Sequence, residues 1–550
     1  MKFPKLWILF LVLLVTIQSK LALGAKAQYS SKQAYVTLLY GDEFLLGVRV
    51  LGKSIRDTGS TKDMVVLVSD GVSDYAKKLL EADSWIVVNI SLLVNPNQVR
   101  PKRFWGVYTK LKIFNMTNYK KEHKFNAIVS LLEFACAVVY LDADTIVVKS
   151  IEDLFKCEKF CANLKHSERL NSGVMVVEPC EAVFNDMMSK VNTLPSYTGG
   201  DQGFLNSYYS DFPNAHVFDP NIPQEALKVR PVPEMERLST LYNADVGLYM
   251  LANKWMVDES ELRVIHYTLG PLKPWDWWTS WLLKPVDVWQ NVREQLEETL
   301  PGTGGGKNPN DEILVKFLFL LPFCVLVFCY YRSFLQTGGF LFRTSLCNHI
   351  RHLYFIIRSS GTVAYSGVSS SSNINTKVPV YLGGISVFVC FMAVVVSLGI
   401  SITIVPRQVM PWTGLFLMYE WTFTIFFLLF GAFLHLIYQR GRRIVTQLTP
   451  VSADTDLFNS DSKKDHRQAS SCDIVSWYYG LGMAFLAIVA PSLPCIFGIT
   501  ALFLRLGLMV VGGIILASFM TYASEHLAIR SFLKGCEDRD TMQSRECFLC

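Results

Sequence analysis

Charge is scarce in this chain. Lys and Arg number 52 and Asp and Glu 47 among 550 residues, 18% together, against 51% hydrophobic residues and a mean hydropathy of +0.28. That balance is too apolar for a purely soluble protein, so part of the chain must lie in lipid. No basic run interleaved with aromatics is present, which argues against a nucleic-acid surface. Zinc-binding spacing is lacking as well: Cys157 and Cys161 form a C-x3-C pair, with no second Cys or His pair in the segment around them. A disulfide among Cys136, Cys157, Cys161 and Cys180 is therefore expected ahead of a structural metal. Cys536, Cys547 and Cys550 read as reduced thiols or as palmitoylation sites.

What is abundant sits at the two ends. Leu6 to Ile17 is apolar, follows Lys2 and Lys5, and precedes small residues at Ala22, Gly24, Ala25 and Ala27. Residues 1–27 read as a signal peptide, with an uncleaved signal anchor as the alternative, and either delivers the next domain to the secretory lumen. Five segments beyond residue 312 are long enough to span a bilayer: Ile313 to Tyr331, Val380 to Val405, Trp412 to Tyr438, Ile474 to Ser492 and Thr500 to Ala523. Pro491 and Pro494 mark the break between the last two. Arg332, Arg343, Arg351, Arg358 and Lys377 follow the first span without an acidic residue, and Arg440, Arg442 and Arg443 follow the third. Both loops are cytosolic by the positive-inside rule, which leaves residues 28–300 lumenal, 301–312 as a Gly-rich linker and 524–550 as a cytosolic tail. Ser359 to Ser372 reads as a disordered cytosolic loop. Asn89 and Asn115 head glycosylation sequons.

Residues 28–300 alternate strand-length apolar runs (Tyr35 to Leu39, Met64 to Val68, Trp85 to Ile90, Val138 to Leu141) with helical spacing at Phe44 to Arg56 and Tyr75 to Ala82. The pattern predicts an α/β domain built from βαβ units, with its ligand at the carboxyl ends of the strands. The run Val138 to Leu141 ends in Asp142-Ala143-Asp144. Residues two apart on an extended chain face the same way, so the two carboxylates can meet one hard divalent cation, which would neutralise charge on a departing nucleotide diphosphate.

Three further constellations follow in order. Asn171-Ser172-Gly173 reads as a polar turn entering a strand, with small residues letting backbone approach a sugar. Thr198-Gly199-Gly200-Asp201-Gln202-Gly203 sets a carboxylate and an amide before a short helix, where Asp201 is either a sugar contact or an N-cap. His266-Tyr267-Thr268-Leu269-Gly270-Pro271-Leu272-Lys273-Pro274-Trp275 offers an imidazole for a metal and an ammonium for a diphosphate, with Gly270 permitting close approach.

D-x-D, N-S-G, G-D-Q-G and H-x-x-G-x-x-K-P-W in this order resemble glycosyltransferase family 8, the family of glycogenin, over about residues 33–285. The resemblance implies a GT-A fold, Rossmann-like and nucleotide-sugar-binding, a UDP-sugar donor, Mn2+ and retention of anomeric configuration. It assigns Asp142, Asp144 and His266 to the metal, and Gly270 and Lys273 to the diphosphate. Lys110 would reach the donor, Thr37 and Tyr40 would flank the nucleotide, and Asn171, Asp201 and Gln202 would contact the transferred sugar. Asp201 is the candidate nucleophile if a covalent intermediate forms. Front-face attack on the departing side is the preferred route, with electrostatics carrying most of the catalysis.

The multi-span half departs from glycogenin. Among plant glycogenin-like proteins, this combination resembles those that move glucuronic acid from UDP-glucuronate onto a sphingolipid headgroup, inositol phosphorylceramide, in the Golgi membrane. Trp275, Trp277, Trp278, Trp281 and Trp289 then stand either at the membrane interface or in a core. Arg49, Lys53 and Arg56 are available to pair with a glucuronate carboxylate. Two alternatives stay open: a polysaccharide acceptor such as xylan, and a non-enzymatic membrane protein carrying a relic domain, for which Glu420 and Arg505 in or beside spans are the pertinent features. Glu122 to Ala137 stands as an insert ahead of the D-x-D strand and bears on whether that strand is intact.

Overall fold

The computed structural model describes residues 33–96, 106–120, 137–165, 167–222, 231–270, 272–299, 311–336, 379, 381–448 and 469–546. The N-terminal segment, the linker around 301–310, Ser359 to Ser372, and the insert with Cys136 (Ala137 excepted) lie outside the described residues. The chain divides into two compact units. One runs up to Pro274 and resumes at Val288–Asn308; the other comprises Trp275–Asp287 and Pro309–Cys550.

The first unit is built on an eight-stranded mixed sheet. Its strands are β1 (Ala34–Leu39), β2 (Asp63–Val68), β3 (Ile86–Asn89), β4 (Val138–Leu141), β6 (Phe160–Leu164), β7 (Leu170–Val177), β8 (His216–Val217) and β9 (Glu236–Leu238), in the order β3-β2-β1-β4-β7-β6-β9-β8. The strands β1 to β4 are mutually parallel and β7 runs antiparallel to β4. Crossovers between the parallel strands are made by helices α1 (Leu45–Asp57) and α2 (Asp74–Ala82), the latter capped by the Ser73 hydroxyl. Because both faces are covered, the strands read as continuous apolar runs. Along β1, Tyr35 and Leu39 face one core cluster while Ala34, Val36 and Leu38 face the other.

A second sheet of β5 (Thr145–Val147), β10 (Ala244–Asp245) and β11 (Val264–His266) stands beside it, ordered β10-β11-β5. The chain leaves the large sheet at Leu141 and enters the small one at Thr145. Asp142 and Asp144 occupy the tight turn between, with the Thr145 amide and hydroxyl donating to the Asp142 carbonyl at 3.0 and 2.7 Å. Strand alternation is thus not what aligns the two carboxylates; the turn between two sheets does so. Cys157 and Cys161 are disulfide-bonded, as expected ahead of a metal, and Cys180 is free.

In the second unit, four helices among the described residues are long and apolar enough to cross a membrane by length and composition: Tyr381–Ile404, Pro411–Arg443, Trp477–Ile496 and Leu502–Cys536. They correspond to the second to fifth expected spans, and the first expected span lies within a helix at Asp311–Gln336. Pro491 and Pro494 lie inside a helix ending at Ile496; the break falls at Gly498, whose φ of +64° favours glycine. The last helix continues to Glu546, so the segment after Ala523 is a helical extension through the described residues. Trp275 and Trp277 are buried, and Trp277 packs with Leu318, Val405, Val409 and Leu417 in a cluster that Trp278 and Trp281 adjoin. Asp276 is buried beneath it and pairs with Arg407 at 2.8 Å. These tryptophans belong to a packed core, and Trp289 is fully buried in the α/β unit.

Candidate active site

The two sheets meet where the motifs converge. His266 ends β11 in register with Thr145, and the Tyr267 amide donates to the Asp144 carbonyl at 2.9 Å. Ligand atoms of Asp142, Asp144 and His266 thereby lie within 4.8 Å of one another, with His266 Nε2 3.3 Å from Asp144 Oδ1 and 4.0 Å from Asp142 Oδ2. Two carboxylates and one imidazole form a donor set that suits Mn2+.

Each carboxylate also has a lysine. Lys273 Nζ donates to Asp144 Oδ2 at 2.5 Å and to the Tyr267 carbonyl at 3.3 Å. Lys110, buried in a 3-10 segment (Val107–Lys120), lies 2.9 Å from Asp142 Oδ1 and 3.0 Å from Asp201 Oδ2, and donates to the carbonyl and hydroxyl of Ser172 at 3.2 Å. Burial would lower the Lys110 ammonium, but Asp142 and Asp201 outweigh it and hold the group charged. Burial also raises Asp142, assisted by Asp144 and opposed by Lys110 and His266. Asp144 is half-buried, which would raise it, yet Lys273 and His266 hold its carboxyl well below the usual range.

Asn171, Ser172 and Gly173 lie inside β7 rather than in a turn before it, opposite the end of β4. A Cβ at Gly173 would fall on the His266 imidazole. The glycine of N-S-G therefore makes room for the histidine. Gly203 has a similar reason, since a Cβ there would meet Ser196 and Thr198. Gly200, not Asp201, is the N-cap of helix Asp201–Tyr208, and the Asp201 carboxylate accepts from the Ser172 hydroxyl at 2.8 Å.

A directional hydrogen-bond chain joins these parts, and local sequence pattern gives no sign of it. Lys165 Nζ, which can only donate, contacts Asn243 Oδ1 at 3.2 Å and the Asn243 carbonyl at 2.7 Å. That fixes the Asn243 amide, so His266 Nδ1, 3.0 Å from the same Oδ1, donates to it, and Nε2 faces Asp142 and Asp144. Asn243 Nδ2 then donates to Asn171 Oδ1 at 2.9 Å, Asn171 Nδ2 to Gln202 Oε1 at 3.0 Å, and Gln202 Nε2 to the Tyr197 hydroxyl at 3.0 Å. Asn243 and Lys165 are the residues bonded into the site that the motifs miss: one lies at a strand entry 23 residues before His266, the other at a hairpin turn.

The remaining expected residues scatter more widely. Thr37 is buried on β1 with its hydroxyl lacking a hydrogen-bond partner among the described residues. Tyr40 follows β1, packs on Phe44, and is close enough to Asp142, Lys110 and Asp201 to feel their charges, while burial raises its phenol. Gly270 lies in the bend between His266 and Lys273. Arg49, Lys53 and Arg56 are engaged elsewhere: Arg49 with Asp83 at 2.5 Å, Lys53 with Asp57, and Arg56 with the carbonyls of Ser60 and Lys62.

The candidate site is thus a carboxylate pair and a histidine at the rim of a mixed α/β sheet. No family model matches the chain. It is 69% identical over 556 residues to inositol phosphorylceramide glucuronosyltransferase 1 of Arabidopsis thaliana, covering 99% of both chains. The chain belongs to that glucuronosyltransferase family. It is also 32% identical over 180 residues to UDP-glucuronate:xylan alpha-glucuronosyltransferase 1 of Arabidopsis thaliana, covering 32% of this chain and 25% of the relative. Mouse glycogenin-1 is 29% identical over 255 residues, covering 44% and 66%. Among solved structures, the galactosyltransferase LgtC in complex with donor and acceptor sugar analogs aligns over 47% of this chain and 94% of its own, at 15% identity and a TM-score of 0.32.

Proposed function

We propose that this chain transfers glucuronic acid, with retention, from UDP-glucuronate to inositol phosphorylceramide at the lumenal face of the Golgi membrane. The observation that carries the reading is the convergence of Asp142, Asp144 and His266 in a chain that matches its glucuronosyltransferase relative from end to end. Bound Mn2+, held by these three, supplies charge neutralisation for the departing UDP. Lys273, here paired with Asp144, would supply the ammonium for the diphosphate, and Gly270 would leave the backbone open beside it. Thr37 and Tyr40 line the nucleotide. Asn171 and Gln202, already oriented by the Asn243 amide, position the sugar. Asp201 is tied to Lys110 and Ser172, which suits a carboxylate that orients the sugar better than a free nucleophile, and so supports front-face attack. A β-phosphate oxygen then takes the acceptor proton. The multi-span half gives a lipid acceptor a physical rationale, since one span is enough for anchoring.

The direct test incubates microsomal protein with Mn2+, labelled UDP-glucuronate or UDP-glucose, and inositol phosphorylceramide, alongside Asp144→Ala. Labelled lipid from UDP-glucuronate alone, lost in the variant, supports the proposal. Donor hydrolysis without labelled lipid transfers the reading to a polysaccharide acceptor.

A further inference from the structure

A glucuronosyl donor differs from a glucosyl donor by one carboxylate at C6, and recognising it calls for a cation with an unused donor edge. Of the lysines at the site, Lys110 serves Asp142 and Asp201, Lys273 serves Asp144, and the Lys165 ammonium serves both oxygens of Asn243, with Asp245 3.7 Å away. Arg169 is different. It closes the β6–β7 hairpin turn, where the Lys165 amide donates to its carbonyl at 2.9 Å, and it stands immediately before β7, two residues ahead of Asn171. Its guanidinium lies over the Tyr197 ring, 3.9 Å from the centroid, is exposed, and pairs with no carboxylate among the described residues. Tyr197 in turn accepts from Gln202, which accepts from Asn171. Arg169, Tyr197, Gln202 and Asn171 are thus joined in one chain of contacts, which Asn243 continues to His266.

We propose that Arg169, held flat by Tyr197, is the specificity-determining residue that reads the C6 carboxylate of the donor sugar. Stacking uses the face of the guanidinium and leaves its N–H edge free for a bidentate carboxylate. The inference rests on the reading of UDP-glucuronate as donor.

The test uses the full-length membrane protein, measures KM for UDP-glucuronate and UDP-glucose, and measures inhibition by UDP, which has no sugar. Arg169→Gln should raise KM for UDP-glucuronate by about ten- to a hundredfold, the worth of a charge-assisted hydrogen bond, with inhibition by UDP unchanged and UDP-glucose used no worse. Arg169→Lys should fall between. Tyr197→Leu should reproduce part of the same donor-selective loss. An unchanged KM for UDP-glucuronate, or an equal loss for both donors with weaker UDP inhibition, overturns the assignment. A wild-type protein that already prefers UDP-glucose overturns the donor reading itself, before any variant is made.

Discussion

The two units handle polar side chains in opposite ways. In the α/β unit, Lys110, Lys273, Asp142, Asp144, Asp201 and His266 gather at one rim and satisfy one another across long sequence separations. In the helical unit, several hydroxyls return to their own helix: Ser397 to the Ala393 carbonyl, Ser492 to Ile488, Ser518 to Ile514 and Thr521 to Ala517. The apolar surfaces are reversed as well. The α/β unit buries its strands, whereas Phe388, Val395 and Ile514 on the helices stand 66%, 63% and 61% exposed, as lipid-facing residues would. The polar residues gathered in the first unit are those a chemical site would need, and many in the second are local accommodation to a solvent that offers no hydrogen bonds.

The largest effect should come from the rim. Asp144→Ala removes a carboxylate that both Lys273 and His266 contact, and transfer should fall on the order of 10³-fold while the protein still melts cooperatively. Retained activity would show that the cluster is structural. Lys110→Met comes next. It leaves Asp142 and Asp201 buried without their shared cation, so stability should drop by roughly 3–5 kcal/mol, the cost of breaking a buried pair, seen as a lower melting temperature; an unchanged melt would mean water replaces the ammonium. Gly173→Ala should act on the metal. Its Cβ would press on the His266 imidazole, so Mn2+ affinity measured by titration calorimetry should weaken about 10–100-fold.

These outcomes bear on what could be read from the chain alone. The D-x-D pair was legible because two carboxylates at the end of an apolar run are unusual chemistry, although the turn between β4 and β5 aligns them rather than strand alternation. Asp201 was visible as a motif residue, but its partner Lys110 is set by the packing of a 3-10 segment under β7, and no local spacing shows that. Gly173 was legible as part of N-S-G, but its contact with His266 was not, since the histidine is 93 positions away and only the second sheet brings them together. Asn243 and Lys165 left no pattern at all, because a single amide between two other groups has no period. In the helical unit composition alone located the long spans, and the gap expected between Ser492 and Thr500 contains the break at Gly498, although Pro491 and Pro494, which suggested it, lie inside the helix before it.

The smallest effects should come from the helical unit, and they test the comparison most sharply. Asp276→Asn weakens a pair whose Arg407 partner is well exposed, so a modest fall in melting temperature in detergent is expected, with Mn2+ affinity unchanged. Ser397→Ala should do less still. Ser397 is fully buried, yet its hydroxyl donates only to the Ala393 carbonyl one turn back, so its removal orphans no donor, and the change should stay within about 0.5 kcal/mol. Ser401 is the matched contrast: its oxygen accepts from the Thr422 hydroxyl at 3.0 Å, across helices, so Ser401→Ala should cost more, about 0.6 kcal/mol. Thermal unfolding of both variants in one detergent measures the difference. If Ser397→Ala instead abolished transfer while leaving the fold intact, the helical unit would hold a polar group with a chemical task, and the division drawn between the two units would fail.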